Sequence, residues 1–159
     1  MLALTVVEPQ SSGIGGGGFL VRGTADGTVV TYDGRETAPA GATPEWFLNA
    51  DGTLPSFSES VRSGLSVGVP GNIALAAKAH SEHGALPWAR LFDPAIRLAR
   101  EGFRINPRLY NSLSSAKDRA GFSATGRALF FGDDGNPLPV GTLVVNEELA
   151  RTFEALAAG

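Results

Sequence analysis

A glycine run constrains this chain more than any other feature. Residues 11–19 read Ser-Ser-Gly-Ile-Gly-Gly-Gly-Gly-Phe, four consecutive glycines between an apolar opening and a strand-like stretch. Glycine has no Cβ and loses the most backbone freedom on folding, so such a run needs a turn, a ligand or a close backbone approach to offset it. The letters also fit G-x-G-x-x-G, from Gly13 to Gly18. In a dinucleotide fingerprint a helix N-terminus follows those glycines and receives the pyrophosphate. Here two strand-like runs follow instead, Phe19–Thr24 and Thr28–Tyr32, joined by Ala25-Asp26-Gly27. That is a hairpin pattern. No Gly-Lys-Ser/Thr occurs, so the run is no P-loop either. The reading left is steric: backbone passes where side chains would collide.

The rest of the chain turns from hairpin to helix, which makes the fold class α+β. Residues 2–7 are apolar and stop at Glu8-Pro9, as the end of a helix or a short buried strand would. Residues 1–39 form the glycine-rich lead-in and hairpin. Residues 40–69 are rich in Gly, Pro, Ser and Asp and predict an irregular surface segment with one helical turn at Pro44–Leu48. Residues 70–159 are mainly helical. Helices are expected over Pro70–His83 and Pro87–Glu101, closed by Gly84 and Gly102. Trp88, Leu91, Phe92, Ala95, Ile96 and Ala99 fall on one stripe. Asp93-Pro94 reads as an N-cap and first-turn pair that splits this stretch in two, with Asp93–Arg97 and Arg97–Glu101 as outer ion pairs. Another helix is expected over Pro107–Arg119. Asn146 caps a last one, with Leu149, Phe153 and Leu156 inward and Gly159 closing it.

Composition excludes several chemistries. Net charge is −3 and no cationic stripe is present, which argues against nucleic acid. There is no cysteine, hence no disulfide, thiolate zinc site or cysteine nucleophile. No apolar run reaches the ~18 residues of a membrane span. Gly64-Leu65-Ser66-Val67-Gly68 fits G-x-S-x-G, but a nucleophile elbow needs a buried strand before the serine and a helix directly after it. His80 and His83 stand at i, i+3, whereas zinc protease helices use i, i+4. In a last helical turn they complement the dipole. Asp133-Asp134-Gly135-Asn136 lacks the distal glutamate of a calcium loop and reads as a turn. No metal site follows from these residues. Arg35 leaves two readings open. It is a surface pair with Glu36, or a planar fork aimed at a carboxylate.

The segments VVEPQSSGIGGGGF, YDGRETAP, GVPG and HGALPWARLFDPAIRLAREGF resemble, in order and spacing, the gamma-glutamyltransferase family. The resemblance runs over about residues 2–158 and is weakest at 40–60 and 110–145. It implies part of a four-layer αββα sandwich of the N-terminal-nucleophile hydrolase type. In that family a precursor cuts itself, and the new N-terminal threonine attacks the γ-carbonyl of a glutamyl donor such as glutathione, without a cofactor. The family's cleavage motif, a threonine pair followed by His or Ser, is missing here; Thr5, Thr37, Thr43 and Thr142 lie in other contexts. Residues 1–159 therefore resemble an incomplete N-terminal-side segment of the large subunit, expected to continue at both ends. It holds no catalytic residue and is inactive alone. Its implied partners are the remaining large subunit and the small subunit bearing the threonine. Arg35 matches the family arginine that binds the α-carboxylate of the γ-glutamyl group, with Glu36 orienting it. The glycines would then admit the chain beneath a crowded site, with Gly68-Val69-Pro70-Gly71 as a neighbouring loop. Surface meant for the missing parts is expected to drive self-association or partial disorder. Family members are often exported in bacteria, so a periplasmic or secreted parent is compatible with the resemblance, while the residues themselves set no compartment. Two alternatives stand beside it: a cephalosporin or glutaryl acylase on the same scaffold, and a non-catalytic helical binding module using the stripe at 88–99.

Overall fold

Helix α1 (Leu2–Val7) leads into the hairpin strands β1 (Gly18–Gly23) and β2 (Val29–Gly34) in the computed structural model, which describes every residue from Met1 to Gly159. Helices α2 (Phe57–Arg62), α3 (Asn72–His83) and α4 (Asp93–Glu101) follow, then strand β3 (Phe103–Arg104). Helices α5 (Pro107–Ser115), α6 (Lys117–Ala120) and α7 (Ala124–Phe130), strand β4 (Leu143–Val144) and helix α8 (Glu147–Ala158) complete the chain. No helix is long and apolar enough to cross a membrane. The chain divides into two compact units, Met1–Gly13 with His80–Gly159, and Ile14–Ala79.

The first unit is built on small residues that let helices approach. Phe92, Ala95 and Ala99 of the stripe are buried, and α4 packs against α8, where Ala150 and Phe153 are buried in turn. Trp88 sits edge-on to Phe92 at 5.0 Å and donates its indole N–H to the Leu156 carbonyl at 2.9 Å. The open choice for residues 2–7 resolves as helix: α1 packs on α4 and buries Val6. Gly102 ends α4 at φ 89°, a conformation that favours glycine. Phe103 then pairs with Val144 in a short antiparallel ladder. Asn146 accepts the Leu149 N–H at 3.0 Å, the expected cap of α8.

Three local expectations are corrected here. Phe92, not Asp93, is the N-cap of α4, because a 3-10 turn over Trp88–Leu91 runs almost directly into it. Asp93 in that first turn binds Arg90 at 2.9 Å instead of Arg97. The long cross-element bridge comes from Arg100, which reaches Glu147 at 3.0 Å and Glu154 at 2.8 Å. Finally, the helix expected over Pro107–Arg119 breaks at Ala116, whose φ of −124° is not helical, leaving α5 and α6.

The second unit is a hairpin, a long strap and a helix. Gly18 pairs with Gly34 and Gly23 with Val29, so Phe19, Val21, Val29, Thr31 and Asp33 share one face and Leu20, Arg22, Tyr32 and Gly34 the other. Tyr32 and Gly34 are buried; Phe19, Val21 and Val29 are exposed. Gly27 turns the loop at φ 86°. The Thr24 hydroxyl and the Thr28 N–H bond to Asp26 and hold its carboxyl below the usual range. Pro44–Leu48 holds tight turns closed by Trp46 N–H on Thr43 and Leu48 N–H on Glu45, not the helical turn expected. Helix α2 was not expected. Ser56 accepts the Glu59 N–H while Glu59 accepts the Ser56 N–H at 2.8 Å, a reciprocal cap that starts a helix in an otherwise loop-like composition.

Candidate substrate-binding site

Arg35 leaves the hairpin immediately after β2, and its backbone is gripped from several sides. Asp33 Oδ1 accepts the Arg35 N–H at 2.9 Å. This is the i to i+2 bond that short acidic side chains make to nearby backbone N–H groups, here at the end of a strand. Gly34, one residue before Arg35, has Leu75 of α3 where a Cβ would go. After Glu36 the chain is bridged to the 67–71 loop: Val69 donates to the Thr37 carbonyl at 2.9 Å, and Gly68 lies against Glu36. A Cβ on Gly71 would strike the Gly34 carbonyl. The Gly68–Gly71 segment is thus the neighbouring loop that the sequence suggested, and it leads into α3.

The glycine run has a graded role. A Cβ on Gly17 would lie 2.6 Å from the Gly34 carbonyl oxygen and 2.7 Å from the Glu36 nitrogen, so only glycine fits beside the segment carrying Arg35. Gly13 and Gly15 have open space, so crowding explains only part of the run. The Gly16 carbonyl accepts the N–H groups of Gly71 and Asn72, each at 3.1 Å. A backbone oxygen therefore stands at the head of α3, where a dinucleotide motif would hold a phosphate.

The Arg35 side chain is held far less than its backbone. Its Nε lies 3.4 Å from Glu36 Oε2, and the side chain is 71% exposed. An exposed pair at that distance contributes little stability. Nε makes the nearest approach to Glu36, and neither terminal nitrogen donates a hydrogen bond within the chain. What remains is a guanidinium end that can take a carboxylate through two parallel hydrogen bonds. Asp33 is the residue that sequence reasoning passed over. Its signal was present: an Asp-Gly pair directly before the arginine, Asp being a residue that bonds backbone two positions on.

The other sequence candidates do not assemble. Ser66 ends a 3-10 turn and gives its hydroxyl to the Ser63 and Val61 carbonyls at 2.9 and 3.2 Å, not to an imidazole. His80 Nε2 lies 2.7 Å from the Leu86 carbonyl and its ring is tilted 58° against Trp88 at 5.4 Å, whereas His83 lies near Glu82. Asp134 Oδ1 accepts the Asn136 N–H at 2.9 Å within a tight turn whose Gly135 has φ 71°. No group of three potential metal ligands occurs.

A β-hairpin followed by mostly helical elements matches the N-terminal-nucleophile-hydrolase-like fold of the solved relatives. The family profile of gamma-glutamyltranspeptidase matches residues 1–159, and the chain belongs to that family. It is 40% identical over 157 residues to a glutathione hydrolase proenzyme of Bacillus subtilis, covering 97% of this chain and 26% of that protein. Its structure superimposes on the crystal structure of Helicobacter pylori gamma-glutamyltranspeptidase with a TM-score of 0.90 at 34% identity, covering 99% of this chain and 45% of that one. Against a cephalosporin acylase from Bacillus halodurans the TM-score is 0.81 at 30% identity, with 99% and 30% covered. The chain thus spans about a quarter of the length of the curated relatives it matches.

Proposed function

We propose that this chain is the donor-anchoring part of the large subunit of a gamma-glutamyltransferase, an enzyme that transfers or hydrolyses the γ-glutamyl group of glutathione-like donors. Arg35 binds the donor's α-carboxylate, and Glu36 orients it through Nε. The chemistry belongs to a threonine on a partner segment, since no threonine here sits in the family's cleavage context. That hydroxyl attacks the γ-carbonyl, the amine departs, and water or an amino acid takes the acyl group. Anchoring the carboxylate end sets the register of the carbonyl against the nucleophile, which is a proximity effect. The observation that carries the reading is a backbone fixed on both sides of Arg35 with the guanidinium end unengaged.

Steady-state kinetics on the whole enzyme tests it. Arg35→Lys keeps the charge and loses the fork, so the Michaelis constant for a γ-glutamyl anilide rises by about tenfold while kcat falls less. An unchanged Michaelis constant sinks the assignment. The isolated 159-residue chain turns over no donor. The likeness to the cephalosporin acylase supports a second reading, a glutaryl amide as substrate, because that group also ends in a carboxylate. Comparing γ-glutamyl and glutaryl anilides separates the two: preference for the glutaryl compound selects the acylase.

A further inference from the structure

A cavity of about 550 Å³ opens in the first unit between the Pro9–Ser11 segment and helices α5, α6 and α7. That volume lies within the range of small-molecule sites. Leu109 and Leu113, both buried, form its floor, and Phe130 lines one wall. Polar groups come from Gln10, Ser112 and Arg119. Most arginines nearby are engaged: Arg108 with Glu8 at 2.9 Å, Arg127 with the Gly121 carbonyl at 2.6 Å, Arg104 with the Gly141 carbonyl at 2.8 Å. The Arg119 guanidinium has no partner, and neither does the Ser112 hydroxyl. No carboxylate lines the cavity to oppose a bound anion.

An apolar floor, one unspent cation, a free hydroxyl and a lining without a carboxylate, the nearby Glu8 being taken up by Arg108 and Gln10, select one ligand chemistry. We infer that this cavity binds a small organic monoanion with an apolar body, its carboxylate on Arg119 and Ser112 and its carbon chain over Leu109, Leu113 and Phe130. The cavity is made wholly of the first unit and Arg35 belongs to the second, so neither assignment depends on the other.

Octanoate, octanol and acetate, titrated separately into the whole enzyme and followed by the amide chemical shifts of this segment, test the inference. Octanoate saturates, with shifts concentrated in α5–α7, and binds at least about tenfold more tightly than octanol, which lacks the charge, or acetate, which lacks the tail. Arg119→Gln, an exposed substitution, weakens octanoate by about tenfold and leaves octanol unchanged. Ala116→Phe fills the cavity and abolishes octanoate binding. Shifts that stay linear in octanoate, octanol binding as well as octanoate, or octanoate affinity indifferent to Arg119→Gln each overturn the assignment.

Discussion

The two units of this chain are stabilised in different ways. In the first, Phe92, Phe153, Ile105, Leu109 and Val6 are almost wholly removed from water. In the second, Tyr32 and Leu75 are the buried apolar side chains, while Phe57 is 81% and Leu54 74% exposed. Hydrophobic burial therefore holds the first unit, whereas the second relies on backbone pairing, turn bonds and glycine contacts. A two-stranded hairpin is marginal by itself, and one face of this one carries Phe19, Val21 and Val29 uncovered. The candidate substrate arginine lies in the less buried unit. Positional precision at Arg35 is thus local, supplied by Asp33 and the glycine contacts rather than by a core.

Truncating a core ring gives the largest effect. Phe153→Ala is expected to cost about 3–5 kcal/mol in denaturant unfolding, because the ring is fully enclosed. Phe57→Ala, on the exposed helix of the other unit, changes stability by less than about 0.5 kcal/mol. Equal losses would erase the distinction between the units. Next come the glycines. Gly17→Ala costs about 1–3 kcal/mol by forcing a methyl into the Gly34 carbonyl, and Gly15→Ala stays within about 0.5 kcal/mol because its surroundings are open. Hydrogen exchange at the β2 and α3 amides reads both.

Smaller still is the α2 cap. Ser56→Ala removes the reciprocal bond and frays α2 by about 1 kcal/mol, visible as faster exchange at Ser60 and Ser63. The same cap predicts an acid effect. The Ser56 hydroxyl, then its N–H, hold the Glu59 carboxyl below its ordinary value. A lowered folded value means the contribution is complete above the unfolded value of about 4.3 and is lost as pH falls through the folded one. Glu154, lowered by its bond to Arg100, follows the same sign, but there the α4–α8 packing stays when the link is lost. Acid-induced shifts of equal size in α2 and α8 would count against the comparison.

How much of this was legible depended on whether the controlling interaction was local. The stripe of α4, the Asn146 cap, Gly102 and the Ala25-Asp26-Gly27 turn are written within a few residues and were read correctly. Helix α2 was also written locally, as Ser56-x-x-Glu59, but its Ser- and Gly-rich surroundings masked it. The β3–β4 ladder has two residues per strand, too few for an alternation to register. Arg100 finds Glu147 and Glu154 across about fifty positions, which no i, i+4 rule anticipates. At the candidate site the residues alone left Arg35 undecided between pair and fork. The resemblance raised the fork reading, and the geometry adds the Asp33 bond and the unengaged nitrogens.

The Gly16 carbonyl, which serves two amides at the start of α3, couples the loop to the helix mechanically. Pulling the loop away would strand both donors at once, an expensive event compared with sliding loop and helix together. A shift at the root of the hairpin is therefore felt first at the opening turn of α3.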